Sequence, residues 1–167
     1  YWAHYSMWFK LKIPNAKCFL VEPDPLRLKS GENNFIDNGF KGIFINEFVS
    51  DDCFKVDDFM SSNNISSLDI LHSDIQGYEY QMLNNSENSL KDDKFKYIFI
   101  STHSEELHNN CINLISKHNY RIEASSGFDD HTTSFDGFIF ASNVKLNPVL
   151  KNLNEIGRKD IAQFWAD

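Results

Sequence analysis

Apolar residues recur along the chain at two spacings, and these spacings predict helices and strands in alternation. From Trp2 to about Leu11 they recur every three or four positions, which is the helical period, and this helix should end before Pro14. The run at 18–21 is continuously apolar and is closed by two prolines, which predicts a short buried strand ending in Glu22. A helix and then a buried strand with an acid at its carboxyl end therefore open the chain.

The same reading continues to the end of the sequence. It predicts strands at 41–50, 68–75, 95–101, 120–125 and 135–142, helices at 25–37, 77–85 and 104–120, and a short helix followed by a loop at 56–67. Asn38-Gly39 marks the end of the first of these helices. Strands that alternate with helices favour an α/β fold, here a Rossmann-like, doubly wound and mostly parallel sheet. The last two strands follow each other without a helix, so we expect an antiparallel edge strand.

The length of the chain, 167 residues, suits one globular domain. We assign residues 1–145 to this Rossmann-like domain and residues 146–167 to a C-terminal helical segment that begins near Pro148. The sequence contains no repeat and no low-complexity linker.

Composition and charge narrow the range of partners. The formal charge of −8 and the scattered Lys and Arg residues argue against nucleic acid, so we expect a small-molecule or glycan acceptor. No apolar stretch is long enough for a bilayer, and no signal-peptide pattern is present. Three widely spaced cysteines suit reduced thiols that pack in the core. We therefore expect a soluble, cytoplasmic protein, without membrane contact, and a homodimer is left open.

Polar residues that could carry chemistry stand where predicted strands end. Glu22, Asp74 and His103 each lie at the carboxyl end of a different predicted strand. Ligands of such sheets bind at the carboxyl ends of the strands, so these three residues could converge on one crevice. Glu22 is placed as an acid that binds the two ribose hydroxyls of a nucleotide cofactor.

Three motifs carry a resemblance to a known family. They are LVEPDP at 20–25, VDDF at 56–59 and DIQGYE from Asp74 to Glu79. Together they resemble the FkbM family of S-adenosylmethionine-dependent methyltransferases over roughly residues 1–103. The resemblance implies a class I methyltransferase fold, S-adenosylmethionine as cofactor, and methyl transfer to a hydroxyl, with a sugar or glycan as the expected acceptor.

The start of the chain matches this family only in part. The methionine part of the cofactor lies over a Gly-rich loop in the family, and no G-x-G occurs in this sequence. The stretch YWAHYS resembles the end of that loop, with Ala3 at a position that is often Gly, and Tyr5 and Ser6 at the edge of the cofactor site. We expect the first strand and most of the loop to lie upstream of residue 1 or to be absent.

The resemblance also suggests roles for the residues of the third motif and for the next strand end. Asp74 is a candidate to hold the ammonium group of the cofactor or to orient the acceptor hydroxyl, although it could instead cap the helix after Gly77. His103 is the candidate base, since histidine exchanges protons near neutral pH, with a place in the pocket wall as the alternative. Glu79 is expected to be structural, as an acid that satisfies backbone N–H groups or pairs with a cation.

The remaining histidines and the aromatic residues of the first helix receive structural interpretations. We expect surface positions for four histidines: His4, His108, His118 and His131. We expect the Trp and Phe residues of the first helix to lie mostly in the core. No metal site is expected.

Three other functions remain open. The chain could be an inactive or truncated Rossmann-like domain that binds a nucleotide or glycan. It could be a metal-dependent hydrolase built on His72, Asp74, His103 and His108, although no H-x-H or H-E-x-x-H spacing occurs. A nicotinamide dehydrogenase would share the fold but would require the G-x-G-x-x-G motif.

Overall fold

The computed structural model describes residues 2–128, 136–151 and 153. They belong to two compact units, Tyr1–Phe54 and Lys55–Asp167. The first unit contains helix α1 (His4–Lys12), strand β1 (Phe19–Val21), helix α2 (Pro25–Asp37) and strand β2 (Ile43–Ile45). Strands β1 and β2 pair in parallel, as the sequence predicts for strands joined by a helix.

Helix α2 begins and ends where its local sequence directs. The Asp24 side chain accepts hydrogen bonds from the backbone N–H groups of Leu26 and Arg27, and Pro25 takes the first helical position, where no N–H is needed. The helix ends at Asn38, and Gly39 follows with a φ of 71°, a conformation that glycine adopts without strain. These two signals confirm the predicted helix.

Phe35 forms the core of the first unit. Its side chain is 1% exposed and lies edge-on against the rings of Phe40 and Phe44, with centroid distances of 5.9 and 5.3 Å. Gly42 lies beneath it, and a Cβ atom there would come within 3.0 Å of the Phe35 ring. The aromatic ring therefore ties α2 to the turn that leads into β2.

Helix α1 forms as predicted, but its aromatic residues are not core residues. Trp2 and Trp8 are 57% and 64% exposed, so the expectation of burial is wrong for both. The buried residue of this helix is Lys10, whose ammonium group donates to the carbonyl of Ala16 at 2.7 Å. The helical period shows which side chains share a face, but it does not show whether another element covers that face.

In the part of the second unit that the structure describes, there are four strands and four helices. In chain order they are α3 (Val56–Ser62), β3 (Leu68–Ser73), α4 (Glu79–Asn84), α5 (Glu87–Lys91), β4 (Phe95–Thr102), α6 (Glu105–Ser116), β5 (Tyr120–Ser126) and β6 (Gly137–Asn143). Helix α5 was not predicted, because the sequence gives one continuous polar-apolar pattern after Gly77. All the other elements correspond to predicted ones.

The sheet of the second unit has the strand order β3-β4-β6-β5. Strands β3 and β4 are parallel, whereas β6 is antiparallel to both of its neighbours, β4 and β5. The α/β class is thus confirmed, and so is the antiparallel pairing of the last two strands. The structure adds that the reversed strand, β6, lies inside the sheet and leaves β5 at the edge.

The core of this unit lies on the inner strands and on the helices that cover them. Its fully buried side chains include Leu83, Leu90, Phe95, Ile98, Ile100, Ile115 and Ile139. Gly137, at the start of β6, is closely surrounded, because a Cβ there would come 2.8 Å from the Phe128 ring and 3.1 Å from Nδ1 of His108.

His108 is a core residue, which corrects the expectation of a surface position. It is 2% exposed, and its ring nitrogens lie 2.8 Å from the hydroxyl of Thr102 and 2.9 Å from that of Ser125. Burial lowers the pKa of His108, an effect that the charge of Glu105 opposes. A polar residue type predicts exposure, but two hydroxyl partners offset the cost of burying this ring.

The other predicted surface and core positions have mixed outcomes. His4 is exposed, His118 is half-buried, and His131 lies outside the described residues. All three cysteines are free thiols, but only Cys111 is fully buried, and Cys53 is exposed. Burial, with the nearby charge of Glu79, raises the pKa of Cys111 to about 12.

Glu123 of β5, whose side chain is 2% exposed, holds part of the chain after β6. One of its carboxylate oxygens accepts hydrogen bonds from the backbone N–H groups of Val149 and Leu150, each at 3.1 Å. Residues 146–151 are not helical, and the rest of the predicted C-terminal helix lies outside the described residues except for residue 153. The domain boundary at 145/146 stays a prediction.

No helix among the described residues combines the length and the apolar character that a bilayer crossing requires.

Candidate functional site

The turn between β3 and α4 carries the third sequence motif. Gln76 and Gly77 both have positive φ values, 57° and 107°, so the backbone reverses sharply directly after Asp74. Glu79 closes the turn: its carboxylate accepts N–H groups from Ile75 at 2.8 Å and from Gly77 at 3.0 Å. Glu79 is fully buried. The prediction that Glu79 satisfies backbone N–H groups is therefore confirmed, whereas Asp74 does not cap α4.

His103 lies directly after β4, beside this turn. Its Nδ1 atom is 3.0 Å from Oε1 of Glu79, and its Nε2 atom is 3.4 Å from Oδ1 of Asp74. Strands β3 and β4 are neighbours and parallel, so their carboxyl ends lie at the same edge of the sheet. The predicted convergence of Asp74 and His103 follows from this pairing.

Gln76 joins these two side chains. Its amide nitrogen lies 2.9 Å from Nε2 of His103 and 3.2 Å from Oδ1 of Asp74. One amide group can donate a hydrogen to each of them, since it carries two N–H bonds. The left-handed backbone of Gln76 belongs to the turn that presents this amide, a role that no sequence pattern indicated.

Asp136 is a second acid near the histidine. Its Oδ1 atom lies 3.8 Å from Nε2 of His103, and ligand atoms of Asp74, His103 and Asp136 lie within 4.8 Å of one another. One imidazole nitrogen and two carboxylates could hold a divalent cation. The Gln76 amide, however, already forms hydrogen bonds with two of these three side chains. The close approach of the three side chains therefore does not require a metal ion.

The set of residues predicted for a metal-dependent hydrolase is not brought together. The ring of His108 lies in the core, within hydrogen-bond distance of the hydroxyl groups of Thr102 and Ser125. Among the described residues, the group of Asp74, His103 and Asp136 is the one cluster of metal-ligating side chains. That cluster shares only two members with the predicted set.

An open groove begins at His103 and runs between α4 and α6. Its volume is about 390 Å³, and it is lined by Gly77, Tyr80, Gln81, His103, Ser104, Glu106, Leu107 and Asn110. Volumes of this order are typical of small-molecule sites. Tyr80 and Asn110 also line a neighbouring depression of about 470 Å³.

The first unit carries the other predicted site residues. Glu22 lies at the carboxyl end of β1 and is half-buried, and one of its carboxylate oxygens accepts the backbone N–H of Asp24 at 3.0 Å. The side chain of Asn46, just after β2, donates to the carbonyls of Glu22 and Pro23 at 2.9 and 2.8 Å. Asn46 thus fixes the turn that presents the acid, a role that no sequence pattern indicated.

Ala3, Tyr5 and Ser6 lie at the start of α1. Ala3 precedes the helix with a φ of 61°, in the left-handed region that favours glycine, which agrees with the expectation of a position often occupied by Gly. Tyr5 is 53% exposed and Ser6 is half-buried. Their roles in cofactor binding stay predictions.

The acid of the second motif has a structural role. Asp57, the second residue of α3, accepts the backbone N–H groups of Asn88 and Ser89, both at 3.0 Å. These are the first N–H groups of α5, so Asp57 joins two helices by capping one of them. Its two-donor arrangement is the same as that of Glu79, but its described hydrogen bonds involve no histidine.

Comparison with protein families gives one match. The model described as the Methyltransferase FkbM domain matches residues 6–122, which include Glu22, Asp74, Glu79 and His103. No curated protein matches the sequence.

Solved structures with a similar fold are methyltransferases. The M. capricolum TrmK structure in complex with S-adenosyl-homocysteine has a TM-score of 0.55 at 16% identity, over 90% of this chain and 62% of TrmK. The ribosomal protein L11 methylase of Lactobacillus delbrueckii subsp. bulgaricus has a TM-score of 0.53 at 9% identity, over 84% and 65% of the two chains. The bifunctional kinase-methyltransferase WbdD has a TM-score of 0.56 at 12% identity, over 86% of this chain and 33% of WbdD. The predicted fold, similar to class I methyltransferases, is thereby confirmed, and this chain spans less than two thirds of each of these proteins.

Proposed function

We propose, from the premise that this chain belongs to the FkbM methyltransferase family, that it transfers a methyl group from S-adenosylmethionine to a hydroxyl oxygen. The observation that carries the proposal is the pairing of Asp74 and His103 at the carboxyl ends of two neighbouring parallel strands, 3.4 Å apart. Ligands of open α/β sheets bind at this edge.

The chemistry asks for few protein groups. S-adenosylmethionine, when bound, supplies a methyl group on a positively charged sulfur, which an oxygen attacks in line. The chain must therefore hold the hydroxyl in that line and take its proton. His103 lines the groove, and its Nε2 can accept the proton, a contribution of about 10²- to 10⁴-fold in rate.

Two carboxylates fit the cofactor. Glu22, half-buried at the end of β1 and held by Asn46, can accept hydrogen bonds from the two ribose hydroxyls. Asp74 can pair with the ammonium group of the methionine part, or orient the acceptor hydroxyl beside His103. Ala3, Tyr5 and Ser6 are proposed to border the cofactor on the strength of the family pattern.

The acceptor is proposed to be a small alcohol, with a sugar or glycan hydroxyl as first choice. The groove that begins at His103 supports this, because Tyr80 offers a ring to stack on and Gln81 and Asn110 offer amides that match hydroxyl groups. The charge of −8 argues against a nucleic-acid acceptor. A cytoplasmic location is proposed with it, since the three cysteines are free thiols.

Calorimetric titration with S-adenosylhomocysteine tests the cofactor half of the proposal. We expect micromolar binding, and a loss of about 10- to 100-fold in affinity for Glu22→Ala, since hydrogen bonds to a charged group are lost. Glu32→Ala, which removes an exposed acid of α2 paired with Lys29, is the matched control and should bind as the parent does. Equal affinity of the parent and Glu22→Ala would contradict the assignment of Glu22.

Transfer of an isotope-labelled methyl group to a panel of sugars and non-sugar alcohols tests the acceptor half. We expect labelled product with at least one sugar, formed about 10²- to 10⁴-fold more slowly when His103 is replaced by Gln. Label transfer to non-sugar alcohols alone would keep the reaction and reject the sugar.

A further inference from the structure

Glu79 is a charged residue at a position where charge is costly. It is 0% exposed, and it begins a helix of six residues directly after the β3–α4 turn. Each of its carboxylate oxygens takes one backbone N–H, Oε1 from Ile75 and Oε2 from Gly77. These two bonds fix the carboxylate in place, but an uncharged acceptor would satisfy an N–H group as well.

The third neighbour of Glu79 gives the charge a purpose. Oε1 lies 3.0 Å from Nδ1 of His103, and this nitrogen is shielded from solvent. Nδ1 forms no hydrogen bond with any described residue, so its 3.0 Å approach to Glu79 is an ion-pair contact without the alignment of a hydrogen bond. Such contacts in a ligand-free site commonly tighten when the substrates bind.

The opposite side of the ring is arranged differently. Nε2 lies 2.9 Å from the amide nitrogen of Gln76, which can donate a hydrogen but cannot accept one. A proton on Nδ1 therefore satisfies both neighbours at once, because Glu79 accepts and Gln76 donates. In the other neutral form the proton is on Nε2, where this N–H bond would face the N–H bond of Gln76. Glu79 would then receive no hydrogen bond from the ring.

We infer that Glu79 is a positioning residue for the proposed methyl transfer: it holds His103 with the proton on Nδ1, which leaves the lone pair on Nε2. When the acceptor hydroxyl takes the place of the Gln76 amide hydrogen, this lone pair accepts the hydroxyl proton. In the reaction the hydroxyl oxygen forms its bond to the methyl carbon as the carbon–sulfur bond breaks, and the hydroxyl proton passes to Nε2. The imidazolium that results lies beside the buried negative charge of Glu79. The inference rests on the proposed function.

The position of the histidine proton can be read directly in the unaltered protein. In a long-range ¹H–¹⁵N NMR spectrum of the ¹⁵N-histidine-labelled chain, the neutral ring of His103 should show Nδ1 as the protonated nitrogen. In Glu79→Gln the ring should shift toward the other neutral form. A parent spectrum with the proton on Nε2 would overturn the inference, whatever the variants do.

Kinetics separate positioning from a structural role. Glu79→Gln should lower kcat by about 10- to 100-fold, as losses of an orienting partner commonly do. The KM for the acceptor and the affinity for S-adenosylhomocysteine should change less than about threefold, since binding groups are intact. Asp57→Asn is the matched control, because Asp57 also accepts two backbone N–H groups, and its kcat should stay within about threefold of the parent.

A double-mutant cycle completes the test. In a His103→Gln background, Glu79→Gln should have little further effect on kcat, because its action passes through the histidine. The same loss in both backgrounds would overturn the inference and make Glu79 structural. If the parent is active and Glu79→Gln keeps the full kcat, the inference is overturned and the proposed function stands. If the parent neither binds S-adenosylhomocysteine nor transfers a methyl group, the proposed function itself is overturned.

Discussion

Two glutamates in the second unit are buried to nearly the same extent, but their side-chain partners differ. Glu79, beside the candidate site, and Glu123, on β5, have side chains that are 0% and 2% exposed, and each accepts two backbone N–H groups. Glu123 also faces the guanidinium of Arg121, with N–O distances of 2.9 and 3.0 Å, whereas Glu79 faces the imidazole of His103.

The partner determines what each acid can do. Arginine carries its charge at every relevant pH, so Glu123 is held as a permanent anion. Burial alone would raise the pKa of Glu123, but hydrogen bonds from Ser142, from the N–H groups of Leu150 and Val149, and from Arg121 lower it to about 2. Histidine can release and accept a proton, so under the proposed function the same kind of buried acid supports chemistry at Glu79 and a fixed structure at Glu123.

Removing the histidine should have the largest effect on activity. His103→Gln is expected to lower kcat by about 10²- to 10⁴-fold, because the proton acceptor is lost, with a small change in stability. His118→Gln is the matched control, since His118 also lies near a carboxylate, 3.8 Å from Glu87. A kcat of His103→Gln within about threefold of the parent would place the base elsewhere.

Glu123→Gln should have the largest effect on stability and almost none on chemistry. It leaves the half-buried guanidinium of Arg121 without its carboxylate partner, although bonds to Ser142 and Leu146 stay, and this is expected to cost about 3 kcal/mol. The urea midpoint of unfolding should fall while kcat per folded molecule stays unchanged. A loss below about 1 kcal/mol would show that the arginine is already compensated by water.

Acid should reveal the fixed anion. The pKa of Glu123 is lowered in the folded state from 4.5 to about 2, so its contribution is complete above 4.5 and is lost as the pH falls toward 2. The difference in urea midpoint between the parent and Glu123→Gln should therefore shrink between pH 6 and pH 3. A constant difference would indicate that Glu123 does not titrate with unfolding.

Metal ions should have the smallest effect, because the cation beside Glu79 is expected to be the histidine. EDTA or added Mn²⁺ should change the melting temperature by less than about 1 °C and leave the affinity for S-adenosylhomocysteine as it is. A metal ion present at 100 times its dissociation constant would add about 2.7 kcal/mol to the free energy of unfolding. For a chain of this size, that raises the melting temperature by several degrees. If such a shift occurs in the parent and is lost in Asp136→Asn, the cation at this site is a metal ion and not the protonated histidine.

The order of most elements could be predicted from the sequence, although β2 spans only 43–45 of the predicted 41–50. Glu22, Asp74 and His103 could be placed because an acid or a histidine that follows a continuous apolar run has only one position in a parallel sheet, its carboxyl edge. The neighbourhood of Asp74 and His103 followed from two strands that are adjacent along the chain and pair directly.

Contacts between distant or irregular segments could not be predicted. Asp136 reaches His103 because β6 inserts beside β4, an arrangement that strand order in the sequence does not reveal. Gln76 depends on one left-handed residue in a turn, and His108 on two hydroxyl groups from different strands. Each depends on tertiary pairing, which hydrophobic periodicity does not encode.

The hydrogen bonds from Val149 and Leu150 to Glu123 have a consequence for amide exchange with solvent. These two amides lie in a segment without helix or strand, where exchange is normally fast. Because a buried carboxylate in the sheet accepts both of them, their hydrogens should be released only when the β5–β6 ladder opens. The rate of deuterium uptake at these two amides, which lie outside the sheet, would therefore report how often the β5–β6 ladder opens.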